Sequence, residues 1–267
     1  IEDKSTTLAK ALGVKGLLNI QFAIKDDTLF ILEANPRASR TMPFVSKVTG
    51  NQIIKAGTLL MLGHSLDSIK KTTNYLNSST NKVAIKKAIF PWSRFPAEDT
   101  MLGPEMKATG EVLGIGRSFG VALNKAYAAA GVEINENEKG IFVSLSDQEK
   151  PNFIKIVKTY SDLGFKIYST YGTGEYLKNN EINSTIVGRA DETFPTSLTI
   201  LQDKLISLVI NTPTFANEYT DGWKIRRLSH ETGVAVVSSV REAEAFLKAF
   251  LETTKSFEDM EAIQNVS

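Results

Sequence analysis

Cysteine is absent from these 267 residues, which excludes disulfides, thiolate metal sites and thiol nucleophiles together. Histidine occurs only twice, as His64 and His230, too few for a histidine-rich metal centre or a histidine-based triad. No apolar run approaches the length needed to cross a bilayer, and the first residues have no signal-like character. Neither sign of charge dominates: 31 basic and 30 acidic side chains leave a net +1. The lysines are scattered, so neither nucleic acid nor a membrane surface is expected as a partner. These absences suit a cytoplasmic protein. What remains is an ordinary globular composition, 42% hydrophobic and 23% charged, with chain enough to bury one large core or two ordinary ones.

The most informative segment is Leu29-Phe-Ile-Leu32, which reads as a strand buried on both faces. It breaks abruptly into Glu33, Asn35, Pro36, Arg37 and Arg40. Polar groups crowded at the end of a buried strand cost free energy unless something occupies them. A hard divalent cation carrying phosphate oxygens would do so. Glu33 and Asn35 offer oxygen ligands to the metal, and the guanidinium groups of Arg37 and Arg40 suit the anion. Leu17 to Ile24 and the polar break Lys25-Asp26-Asp27-Thr28 precede it, so a β-hairpin is expected. Centred on Asp27, that hairpin sets Gln21 opposite Glu33 and Asn19 opposite Asn35, all on one face. A bulge in the loop would shift this register.

Gln21…Glu33-Ala-Asn35-Pro-Arg37 resembles the metal-binding hairpin of the ATP-grasp fold. Its continuation, Arg37-Ala-Ser-Arg40-Thr-Met-Pro-Phe-Val-Ser-Lys47, resembles the large subunit of carbamoyl-phosphate synthetase. So do Phe90-Pro-Trp-Ser-Arg-Phe-Pro96 and Leu102-Gly-Pro-Glu-Met-Lys-Ala-Thr-Gly-Glu-Val112, and the resemblance extends over essentially the whole chain. It implies ATP as substrate with Mg²⁺ or Mn²⁺ held by Gln21, Glu33 and Asn35. It implies catalytic roles for Arg37 and Arg40, and ammonia delivered by a separate glutaminase subunit. Because the hairpin falls late in the ATP-grasp fold, the chain is expected to be a C-terminal portion of a longer polypeptide.

The fold class expected is α/β: a partial ATP-grasp α+β region over residues 1–130, a glycine-bounded linker at 131–139, and a Rossmann-like parallel-sheet domain over 140–267. In the first region Ser5 to Leu12 reads as a short capped helix, Thr41 to Ser46 as loop, and Ile53 to Leu62 as a helix closed by Gly63. Leu66 to Lys82 reads as irregular, Val83 to Phe90 as a strand, and Ser118 to Ala130 as an amphipathic helix. Beyond the linker, strands and helices alternate regularly, which predicts a parallel sheet covered on both faces.

In such a sheet, ligands bind at the carboxyl ends of the strands. Ser144, the Ser169–Gly174 turn and Asn211 lie at three such ends, with Lys150 at a helix start and Arg189 after a strand. Thr173 and Gly174 are expected to open a helix and offer N–H groups to an anion. This half resembles the methylglyoxal-synthase-like domain. The resemblance implies that Lys150, Thr170, Thr173, Arg189 and Asn211 hold the phosphate of a nucleotide effector, UMP, within a homo-oligomeric assembly. Relatives that respond to the cationic effector ornithine carry an acidic residue where Lys87 stands, and a lysine cannot pair with an ammonium. Three other readings remain open: an ATP-grasp enzyme of another kind, a methylglyoxal-synthase-type lyase, and an effector-binding module without catalysis.

Overall fold

The computed structural model describes residues 1–72, 81–95, 100, 106, 108–132, 140–189, 192, 195–212 and 220–253. It forms two compact units, Ile1–Asn81 and Lys82–Glu261. The changeover falls ahead of the 131–139 linker, of which residues 133–139 lie outside the described ones.

The first unit runs α1 (Glu2–Ala11), β1 (Asn19–Lys25), β2 (Thr28–Asn35), α2 (Thr41–Thr49), α3 (Ile53–Met61) and α4 (Leu66–Thr72). Helix α1 starts earlier than Ser5, whose hydroxyl instead donates back to the Ile1 carbonyl from inside the first turns. Thr41 to Ser46, expected as loop, is helical. Pro43 is the third residue of α2, within the turn whose N–H groups have no intrahelical partner, so its missing N–H costs nothing there. Part of the stretch expected to be irregular likewise folds as α4.

Strands β1 and β2 pair antiparallel around Asp26 and Asp27, whose φ angles of 48° and 58° are both positive. That is the type I′ geometry whose twist suits a two-residue hairpin. A turn centred between these two residues would set Gln21 against Leu32. The register shifts at Gln21/Phe22, leaving Leu32 as the extra residue, and Gln21 pairs with Glu33 and Asn19 with Asn35. The expected pairs therefore form, but the bulge produces them. The expectation that β2 is buried on both faces fails: Phe30, Ile31 and Leu32 are 48%, 47% and 64% exposed. A two-stranded sheet has two faces to cover, and within this unit no described element covers that part of β2.

The second unit opens with β3 (Val83–Ile89), a 3₁₀ turn (Trp92–Arg94), β4 (Gly110–Gly116) and α5 (Phe119–Ala129). It continues β5 (Gly140–Ser144), α6 (Lys150–Asp162), β6 (Lys166–Ser169), α7 (Tyr171–Asn179), β7 (Thr185–Ile186) and α8 (Ser197–Gln202). Strand β8 (Leu208–Asn211), α9 (Asp221–Thr232), β9 (Ala235–Val237) and α10 (Val240–Thr253) complete it. The five strands lie all parallel in the order β7-β6-β5-β8-β9. Alternate residues point to opposite faces, and each face has its own core. Ile141, Val143 and Ile210 pack with Phe153, Tyr160 and Phe246 on one side. Phe142, Val209 and Tyr168 pack with Ile200, Leu201 and Ile225 on the other. The predicted Rossmann-like layer structure is what the chain builds. The order reverses between β5 and β8, so the crevice of a doubly wound sheet opens there.

Candidate functional site

The hairpin constellation assembles as its register dictates. Asn35 Nδ2 donates to Glu33 Oε1 at 2.9 Å, and Asn19 Nδ2 donates to Ser39 Oγ at 3.3 Å. Gln21, Glu33 and Arg37 are exposed and Asn35 is half-buried. The Arg37 backbone N–H bonds the Asn35 carbonyl and its Nη1 bonds the Ala38 carbonyl at 3.1 Å. Arg40 is the N-cap of α2. Pro36 and the bond from Arg37 N–H to the Asn35 carbonyl end the strand in a tight turn, and Arg40 follows three residues on at the start of α2.

Among the described residues no group of three or more His, Cys, Asp or Glu is placed to hold a metal. One carboxylate with two amide oxygens still fits the habit of Mg²⁺, which takes one or two carboxylates and completes its octahedron with substrate phosphates and water.

In the sheet unit the edge at β5, β6 and β8 gathers five of the six expected positions. Helix α7 begins at Tyr171, three residues before the expected start. Gly174 N–H is thus already spent on the Thr170 carbonyl at 2.8 Å. The N–H groups left for an anion are those of Tyr171, Gly172 and Thr173. Lys150, first residue of α6, reaches this turn: its ammonium would lie 3.7 Å from a Cβ placed on Gly172. It is held by Asp147, at 2.5 Å. Thr173, 1% exposed, accepts from Leu145 N–H at 3.0 Å and from Thr170 Oγ1 at 3.2 Å, tying the β5 loop to α7.

Ser144 and Asn211 are register partners on β5 and β8. Thr212, next along the chain, donates its N–H to Ser144 O and accepts from Ser146 N–H at 2.8 Å. Arg189 donates its backbone N–H to Glu192 Oε2 at 2.9 Å. Its side chain is 75% exposed and approaches Asp221, on the first turn of α9, at 4.0 Å. Arg226 was not foreseen. It is 5% exposed and donates from Nη1 to Asn211 Oδ1 at 2.8 Å. A helical arginine reads in sequence as solvated surface, so only its burial reveals it. Pro213 and Thr214 lie outside the described residues.

A second recess in this unit, a cleft of about 810 Å³, is lined by Lys86, Lys87, Trp92, Tyr127, His230 and Glu242 among others. Lys86 pairs with Glu111 at 3.2 Å. Lys87 Nζ sits over the Tyr127 ring, 4.3 Å from its centre, and burial lowers its pKa while Glu242 opposes that shift. His230 stacks near Trp92 at 5.6 Å. Burial pushes its pKa down to about 4, helped by the nearby positive charges of Lys87, Arg227 and Arg226.

Residues 1–69 match the family model of the carbamoyl-phosphate synthase L chain, ATP binding domain, and residues 152–238 match the MGS-like domain. Hairpin and sheet therefore define a class: a partial ATP-grasp region followed by a Rossmann-type MGS-like domain. Along 97% of its length the chain is 37% identical to the carbamoyl phosphate synthase large chain, C-terminal section, of Aquifex aeolicus, covering 50% of that protein. It is 40% identical over 93% of its length to the carbamoyl phosphate synthase large chain of Brucella suis, covering 22%. The C-terminal section from Methanocaldococcus jannaschii is 37% identical over 96% of the chain, with 42% covered. The chain is thus similar over 93% to 97% of its length to carbamoyl phosphate synthase large chains, two of them C-terminal sections, as its motifs imply. It spans half or less of the length of these relatives.

Proposed function

We propose that this chain is part of the large subunit of a glutamine-dependent carbamoyl-phosphate synthetase of pyrimidine or arginine biosynthesis. It would carry one wall of the site that phosphorylates carbamate with ATP, followed by a regulatory domain for a UMP-type nucleotide. The observation that carries the reading is Glu33 paired across the hairpin with Gln21 and hydrogen-bonded to Asn35, with Arg37 and Arg40 at the following turn.

In this reading Glu33 and the amide oxygens of Gln21 and Asn35 would hold Mg²⁺ or Mn²⁺, which would supply positive charge against the ATP phosphates. Arg37 and Arg40 offset charge on the transferring phosphoryl group and on carbamate. No protein nucleophile is needed for an in-line transfer run by position and charge, which agrees with the lack of cysteine. Ammonia would come from a glutaminase small subunit, in an oligomer of such pairs in the cytoplasm. Ser144, Lys150, Thr170, Thr173, Arg189 and Asn211 form the effector cradle.

In the full-length enzyme, Glu33→Gln is expected to lower carbamoyl phosphate formation by about 100-fold or more with its melting temperature unchanged. Activity within about threefold of wild type would sink the metal-hairpin reading. The Lys87 ammonium on the cleft wall opposes a second ammonium, so ornithine is not expected to activate this enzyme. Strong activation in an ornithine titration would refute that.

A further inference from the structure

Asn211 is 2% exposed, yet among the described residues the only hydrogen bond of its side chain is the one its Oδ1 accepts from Arg226. A guanidinium has donors and no acceptor, so the amide atom facing it at 2.8 Å must be the oxygen. Chemistry thus removes the usual ambiguity between the two ends of an asparagine amide. The bond is charge-assisted and shielded from water, conditions that make it strong. Both N–H donors of the amide are left for something else, at the carboxyl end of β8 and beside Ser144.

The surroundings support this orientation. Gly222 and Arg226 lie four residues apart on one face of α9. A Cβ on Gly222 would stand 3.1 Å from Arg226 Nη1 and 3.5 to 3.6 Å from both ends of the Asn211 amide. The missing side chain is what lets the arginine and the amide meet under the first turn of the helix.

We infer that Arg226 is a positioning residue: by occupying Asn211 Oδ1 it makes Asn211 a donor-only contact, which selects an oxyanion such as a phosphate. This rests on the effector-cradle reading above and deepens it. Arg226 itself would not touch the ligand.

Asn211→Asp separates this role from a structural one. A carboxylate at 211 keeps its contact with Arg226 and strengthens it to an ion pair, so the fold gains, while the donors vanish and a negative charge meets the ligand. With the protein titrated calorimetrically, wild type is expected to bind UMP. Asn211→Asp should melt no lower than wild type yet bind UMP about 30-fold more weakly or worse, with uridine affinity changed less than about threefold. Arg226→Met should lose about tenfold in UMP affinity, and Arg226→Lys, which can still only donate, should recover most of it. Should Arg226→Met fail to fold, Asn211→Asp and Arg226→Lys decide the matter. UMP binding by Asn211→Asp equal to wild type overturns the inference while leaving the cradle intact. So does a folded Arg226→Lys as weak as Arg226→Met. If wild type binds no UMP, the cradle reading falls and this inference with it.

Discussion

Among single side chains, His230 gives the sharpest solution test. Its pKa falls to about 4 in the folded protein because burial and three nearby cations disfavour the imidazolium. The unfolded chain titrates near the ordinary value of about 6.5, so between those two values the unfolded state binds more protons. Stability is therefore full above about pH 6.5 and falls as the pH drops toward 4, by roughly 3 kcal/mol from this group. His230→Phe keeps a ring against Trp92 and removes the proton. Urea midpoints of the two proteins should diverge from wild type's favour at pH 7.5 toward the variant's at pH 5. Parallel curves would show that the imidazole is not buried in its neutral form. Lys87 and Arg226 belong to the same neighbourhood, yet the burial of neither is readable in the sequence. Their burial arises from elements distant along the chain.

Elements were legible to the degree that their own residues hold them. Regular alternation of apolar runs and helical stripes beyond the linker predicted a parallel sheet covered on both faces, and that sheet forms, its five strands alternating with helices. Strand β4 went unread because Gly110, Gly114 and Gly116 argue against a strand in isolation. Their reason is a neighbour. A Cβ on Gly114 would stand 2.0 Å from the Ala122 carbonyl oxygen and 2.6 Å from Ala126 N, because α5 lies directly on the strand. Backbone atoms cannot yield as a side chain can. Gly114→Ala is expected to destabilise the protein by about 3 kcal/mol or more, or to prevent folding. A loss under about 0.5 kcal/mol in a denaturant titration would contradict the packing. The helix end opposite carries a comparable dependence on distant chain: Gly120 N–H donates to Glu252 Oε2 at 2.7 Å, and the Ser118 side-chain hydrogen bond, with that of Gly120 N–H, lowers the Glu252 carboxyl's pKa.

The two units differ in how much they bury. Lys82–Glu261 holds extensive cores on both sheet faces. In Ile1–Asn81 the buried apolar residues among those described are Ala56 and Ile69, while Ile24, Phe30, Leu32, Met61 and Leu62 stay largely exposed. Hydrophobic burial is the main force offsetting chain entropy, so the first unit has little to hold it cooperatively. Amide exchange should accordingly be fast across β1 and β2 and slow across β5 and β8, where opening requires unfolding the core. Equal protection of the hairpin and the central sheet would show that the first unit is as well supported as the second.

Amino-acid order alone dictated the hairpin and its oxygen-bearing residues, the parallel layer fold and the kind of synthetase this chain resembles. Each of those is written in short-range spacing: a period of two, a period of 3.6, or a contiguous motif. Three-dimensional packing decided the rest: the bulge at Leu32, the shift of the anion-facing turn to Tyr171–Thr173, and the guanidinium locked onto Asn211. These depend on contacts between residues far apart in sequence, which no local pattern encodes.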